Sequence, residues 1–137
     1  MMKMKKQTPV KVVAAVIGKD GRVLIAKRQQ GDKLAGKWEF PGGKIDPGET
    51  AEEALKRELH EELDIETEIL GFICSSHYDY EHLSVELLAY RVKHISGDIT
   101  PYVHDEVKWV LPDDLCSYDF PAANEEIVRR LSSCRDL

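Results

Sequence analysis

The chain has 137 residues, with 25 Asp plus Glu against 19 Lys plus Arg and a formal net charge of -6. That length fits one compact domain with a real core rather than two. Hydrophobic residues at 42% and charged residues at 32% argue against disorder, and the lack of basic excess argues against binding along a nucleic-acid polymer. An acidic chain can still take up polyphosphates where metal ions or a few placed cations reverse the local field.

No apolar stretch approaches the roughly 20 residues of a membrane-spanning helix. Residues 1–6 look like the charged opening of a signal peptide, but the apolar run 10–17 that follows carries Lys11 and reads as a buried strand. A second strand, 22–28, follows the turn Gly18-Lys19-Asp20-Gly21. Residues 29–37 are polar and glycine-bearing, a loop. Trp38-Glu39-Phe40 is a short extended piece leading into Pro41-Gly42-Gly43, and Asp46-Pro47-Gly48 is another turn. Thr50 then caps a helix, with Glu53 completing a capping box, and the helix runs to about Leu63. Residues 69–77, 83–92 and 107–111 read as strands. Phe120-Pro121 precedes a final amphipathic helix with Ile127, Val128 and Leu131 on its apolar side. Strands on both sides of a helix, closed by a second helix, predict one α/β domain with a mixed sheet between helices. Cys74, Cys116 and Cys134 are widely spaced and build no zinc site, so they read as reduced thiols of a cytoplasmic protein.

The first helix carries unusual chemistry. At 3.6 residues per turn, Ala51, Ala54, Leu55, Leu59 and Leu63 form its buried stripe. Glu58 and Glu62 fall inside that stripe and Glu61 at its edge, while Arg57 falls on the outer side. Burying unpaired carboxylates is prohibitive, so they need a cation. Glu58, Glu61 and Glu62 stand at i, i+3 and i+4 and are neighbours on the helix surface. Converging hard oxygens suit Mg²⁺, with Mn²⁺ as the alternative. Just upstream, Gly42 and Gly43 permit close approach of a ligand. A backbone carbonyl there can add a metal ligand, and Lys44 can meet a phosphate.

Together these residues resemble the Nudix box, G-x5-E-x7-R-E-U-x-E-E-x-G-U with U aliphatic. The chain supplies Gly43, Glu49, Arg57, Glu58, Leu59, Glu61, Glu62 and Ile65, and departs only at Asp64, where the family has Gly. That Gly is similar to a helix C′ residue, and Asp tolerates the left-handed conformation better than most residues. The run from Trp38 to Ile45 resembles the approach to the box in MutT-type enzymes. Asp119 to Glu125 resembles their base-recognition segment, so the likeness spans about residues 10 to 131.

The resemblance implies a Nudix-type α/β/α sandwich, with a central mixed sheet between the box helix and a C-terminal helix. It implies Mg²⁺-dependent hydrolysis of a nucleoside triphosphate to monophosphate and pyrophosphate, clearing oxidised or modified nucleotides such as 8-oxo-dGTP, or acting on CTP and modified dCTP. By position, Gly43, Glu58, Glu61 and Glu62 would hold the metal. Arg57 would orient a box glutamate, and Glu49 would be a structural or outer-sphere ligand. Arg28, Glu39, Phe40, Gly42, Lys44, Tyr80 and Asn124 would bind substrate, with Tyr80 and Phe40 flanking the base. Asn124 would read the base edge, or cap the last helix, or both. Where the family often has a loop glutamate, this chain has Val103, followed by His104, Asp105 and Glu106. Either Glu106 or Asp105 substitutes for it or the general base lies within the box, where Glu58 is favoured as base or metal ligand with Glu106 as a further candidate, unless the cluster is merely a solvated loop. The implied partner is a nucleoside triphosphate, with no nucleic-acid polymer or membrane, in a monomer or homodimer. Competing readings are a Nudix hydrolase of ADP-ribose or a dinucleoside polyphosphate, and a non-catalytic nucleotide-binding module of the same fold.

Overall fold

The computed structural model describes residues 8–29, 31 and 36–132. In chain order it contains β1 (Val10–Lys19), β2 (Arg22–Arg28), β3 (Trp38–Glu39), β4 (Gly42–Lys44), α1 (Ala51–Leu63), β5 (Glu66–Tyr80), β6 (Leu83–Ser96), β7 (His104–Val110) and α2 (Glu125–Leu131). Two 3₁₀ turns, Pro112–Ser117 and Ala122–Asn124, lead into α2.

The sheet is mixed and built around β1. This strand runs parallel to β6 from Val10↔Val85 to Ile17↔Val92, and antiparallel to β4 through Val13↔Gly43. β5 lies antiparallel to β6 at the edge. Beyond Gly18, β1 hands over to β2, which pairs antiparallel with β3 and β7. A strand bonded on both edges and covered on both faces must be apolar throughout, and residues 13–17 are all buried. Val13, Ala15 and Ile17 pack with Leu55, Leu59 and Leu63 of α1. Ala14 and Val16 share the opposite core with Ile127 and Val128 of α2. Successive side chains on β1 thus feed two cores, and the α/β/α sandwich follows from that alternation.

The capping box forms as the sequence predicts. Thr50 Oγ1 accepts from the Glu53 amide at 3.1 Å, and Glu53 Oε1 accepts from the Thr50 amide at 2.9 Å. The helix ends at Asp64, which holds the left-handed conformation at φ 58° and ψ 40°. Strands β5 and β6 extend well past the ranges 69–77 and 83–92. Their added residues are mostly polar or charged, and cross-strand pairs such as Glu68↔Lys93 continue the ladder without an apolar alternation. β7 begins three residues before the expected 107, and the 3₁₀ turns were not expected.

The loop over 29–37 falls largely outside the described residues, as do residues 1–6 and Cys134. One expectation is corrected. Cys74 is a free, buried thiol, but Cys116 is disulfide-bonded, so the cysteines are not all reduced. Among the described residues no helix is long and apolar enough to cross a membrane.

Candidate active site

Two glycines of β4 set the distance between sheet and helix. A Cβ on Gly42 would lie 1.9 Å from the Val13 carbonyl oxygen, and one on Gly43 would lie 2.5 Å from Glu58 Cδ. Gly42 therefore lets β4 pair against β1, and Gly43 leaves room for the Glu58 carboxylate. On α1, Ala54, Leu55, Leu59 and Leu63 are buried, as the 3.6-residue spacing predicts, while Ala51 is half-buried. Glu58 and Glu62 are half-buried on the flank of that stripe. Side-chain exposure separates Glu58 at 15% from Glu61 at 54%, so Glu61 is the outermost of the three carboxylates.

Arg57, expected on the outer side, is instead half-buried at the centre of an ionic network. Its Nε and Nη2 donate to the two oxygens of Glu49 at 2.6 and 2.9 Å, a bidentate pair. Its Nη1 donates to Glu58 Oε1 at 2.9 Å and to Glu61 Oε1 at 3.2 Å, and Nη2 also reaches the Lys44 carbonyl at 3.1 Å. The hydrogen bond from Arg57, followed by one from the Asp46 amide, holds the Glu49 carboxyl down at about 2. In return, Glu49 above all raises the Arg57 pKa further beyond its ordinary value.

Glu62 has no comparable partner. Its Oε1 is buried without a hydrogen bond. Burial first, then the charges of Glu58 and Glu39, push its carboxyl up to about 8, with Arg28 opposing. Glu39 is clamped from both sides. Arg28 Nη1 donates to its Oε1 at 2.7 Å, and His104 Nε2 stands 2.8 Å from its Oε2.

Of these groups, Arg28, Glu39 and Glu62 open onto one cleft of about 790 Å³, while Arg57, Glu58 and Glu61 stand outside its lining. Arg28, Glu39, Phe40, Gly42, Gly43, Lys44, Glu62, Tyr80 and Asn124 all line it, so every residue expected to touch substrate converges there. Its floor is apolar, formed by Val12, Ala14, Val85 and Leu87. At the end away from α1, Asn124 is buried and makes no capping hydrogen bond with its side chain, so the capping alternative is not realised. Ala123 beside it is pinned on both backbone groups. Its amide donates to the Tyr80 hydroxyl at 3.1 Å, and its carbonyl accepts from Ser76 Oγ at 2.7 Å. Tyr80 thus positions the Asn124 segment. Phe40 is buried and stacked on Phe120, with ring centroids 5.3 Å apart, and so forms cleft wall from within the core.

Glu106 does not join the site. In the β2–β7 pairing it stands opposite Lys27, whose other neighbour is Trp38. Directly paired residues share a sheet face, and Glu39, paired with Ala26, points to the other one. Glu106 is exposed there, so its expected role as a base is corrected. A bulge just beyond turns His104 toward Glu39 instead. The sequence pattern marks neither His104 nor Ser76 as a site residue. Periodicity carries no trace of the bulge that aims His104, and Ser76 resembles any other strand serine.

Among the described residues, no three His, Cys, Asp or Glu side chains are already gathered as a metal cage. The donors nonetheless fit a hard divalent cation. The orphaned Glu62 oxygen, the Glu58 carboxylate against Gly43, and the backbone beside it could all serve as oxygen ligands, and Glu62 has no hydrogen-bond donor on its buried oxygen. The arrangement offers a polyanion-accepting centre at one end of an apolar cleft, and a donor-acceptor amide at the other.

Comparison with known proteins agrees with this geometry. A family model for the NUDIX domain matches residues 12–130. The chain is 32% identical to a CTP pyrophosphohydrolase of Escherichia coli, over 92% of this chain and 93% of that protein. It is 33% identical to an 8-oxo-dGTP diphosphatase of Haemophilus influenzae, over 89% of this chain and 90% of that one. Among solved structures, a MutT NUDIX hydrolase from Burkholderia pseudomallei superposes with a TM-score of 0.82 at 28% identity, covering 92% of this chain and 100% of that one.

Proposed function

We propose, on the premise that this chain belongs to the Nudix family, that it hydrolyses a nucleoside triphosphate to the monophosphate and pyrophosphate. The chain is a Nudix hydrolase, and the relatives it matches are named for nucleotide hydrolysis. The observation that carries the finer reading is the cleft itself. Asn124 stands at one end, Gly43, Lys44 and Glu62 at the other, and an apolar floor lies between.

In this reading Glu58 and Glu62, with Glu61 and the Gly43 carbonyl, hold Mg²⁺ or Mn²⁺. The ion, when bound, neutralises phosphate oxygens and so lowers their repulsion of a nucleophile. Lys44 adds a positive charge at the same end of the cleft. Arg57 keeps Glu58 oriented, and Glu58 accepts the proton of the attacking water. The water oxygen bonds to the β-phosphorus in line, the α–β anhydride bond breaks, and the monophosphate leaves. Asn124 pairs with the base edge, using both the donor and the acceptor of its amide. The apolar floor takes the face of the base.

The test follows the products from a panel of 8-oxo-dGTP, dGTP, CTP, 5-methyl-dCTP, ADP-ribose and diadenosine tetraphosphate by chromatography: monophosphate and pyrophosphate from the triphosphates, AMP with ribose 5-phosphate from ADP-ribose, and AMP with ATP from the dinucleotide. We expect a modified purine or a cytidine triphosphate to lead. Preference for ADP-ribose or the dinucleotide would overturn the substrate assignment. In ¹⁸O-labelled water the label should appear in pyrophosphate; label in the monophosphate would move the attack to the α-phosphorus.

A further inference from the structure

We propose that His104 is a positioning residue for this reaction: with Arg28, it fixes the Glu39 carboxylate in the wall of the substrate cleft. The inference rests on the nucleotide-hydrolase reading of that cleft. Glu39 lies on β3, a strand of only two residues, so its backbone is held by little pairing. Its side chain is held by two donors, Arg28 Nη1 on one oxygen at 2.7 Å and His104 Nε2 on the other at 2.8 Å. One donor on each oxygen fixes the carboxylate plane and still leaves lone pairs for a donor in the cleft.

The backbone is shaped to make this contact. The β2–β7 ladder runs in register from Val23↔Val110 to Lys27↔Glu106, then shifts so that Arg28 pairs with His104. The extra residue, Asp105, reverses the face of the next side chain and puts His104 beside Arg28 and Glu39. Without the bulge, His104 would follow Glu106 to the far face. Bulges of this kind re-aim side chains near functional sites.

The imidazole itself argues against a packing role. Its side chain is 3% exposed, yet Nδ1 has no hydrogen-bond partner. A buried acceptor left unsatisfied is a cost that an apolar side chain would avoid. Only Nε2 has a task, and its task is Glu39.

The test compares His104→Leu, His104→Asn and His104→Gln with Glu39→Ala and the Glu39→Ala/His104→Leu pair. Gln places an amide donor near the Nε2 position, whereas Asn stops short of it. Steady-state kinetics on the best triphosphate of the panel are read alongside thermal melts. We expect Leu and Asn each to lower kcat/KM about tenfold and Gln to restore it to within about threefold. In the Glu39→Ala background, the Leu change should cost less than about a further twofold, because its effect runs through Glu39. Should Leu fail to fold, the Gln–Asn contrast carries the same prediction. Unchanged kcat/KM in a folded Leu or Asn variant would overturn the proposal, as would a full loss persisting without Glu39. Those outcomes leave an active wild type, and so differ from failure of the functional reading, in which the wild type splits no triphosphate and this proposal falls with it.

Discussion

Glu49 and Glu62 stand at opposite ends of the same acidic stretch, and their surroundings push them in opposite directions. Glu49 receives both prongs of Arg57 and stays ionised down to about 2. Its folded-state pKa lies below the usual value, so it adds stability above pH 4.5 that is lost as pH falls toward 2. Acid unfolding of Glu49→Gln, followed by circular dichroism, should therefore show a smaller loss of stability across that window than wild type. Glu62 instead is half-buried, with one buried oxygen that lacks a hydrogen bond and like charges nearby. Gln has nearly the same shape without the charge. Glu62→Gln should melt no lower than wild type in the absence of metal, while kcat falls by about 10²-fold or more. Full activity in that variant would sink the metal assignment. Arg57→Lys keeps the charge but loses the fork that serves three glutamates, and should lower both melting temperature and kcat.

Element by element, adjacent glycines of β4 separate folding from chemistry. Alanine at 42 would drive its Cβ into the Val13 backbone oxygen, so Gly42→Ala should lower stability by several kcal/mol, on the order of a broken core contact. Alanine at 43 meets only the far end of a flexible side chain, the Glu58 carboxylate. Gly43→Ala should melt close to wild type and lose most activity. Equal losses of stability in the two variants would contradict this division. At the end of α1, Asp64 sits where the family pattern has Gly, at a φ of 58°. Asp64→Gly should leave activity intact and raise stability by up to about 1 kcal/mol, read from chemical denaturation. This helix was legible in the sequence because a capping box, a leucine stripe and three carboxylates at helical spacing all point the same way. Strand β7 was not. Its first residues are charged and its bulge leaves no trace in periodicity. His104 therefore reads as loop, and Glu106 as an alternative base.

Across the whole molecule, the net charge of -6 argues against binding along a nucleic-acid polymer but not against a polyphosphate met through a cation. Its distribution supports the second partner, because the acidic residues from Glu52 to Glu62 crowd one helix and one of them, Glu62, keeps a buried oxygen without a hydrogen bond. The two cores on either face of β1 hold this helix against β4, and the final 3₁₀ turn brings Asn124 to the far end of the same cleft. Residues distant in sequence, such as Arg28, Glu39 and Tyr80, were legible as cleft residues only through the family resemblance; no local pattern predicts that they meet. The central claim is that this acidic protein grips a polyanion through a divalent cation. It is tested most directly by calorimetric titration of wild type and Glu62→Gln with a non-hydrolysable nucleoside triphosphate, with and without Mg²⁺. The account predicts that Mg²⁺ tightens binding to wild type by about tenfold or more, and that this gain is largely lost in Glu62→Gln. Equal affinity with and without Mg²⁺ in the wild type would contradict it.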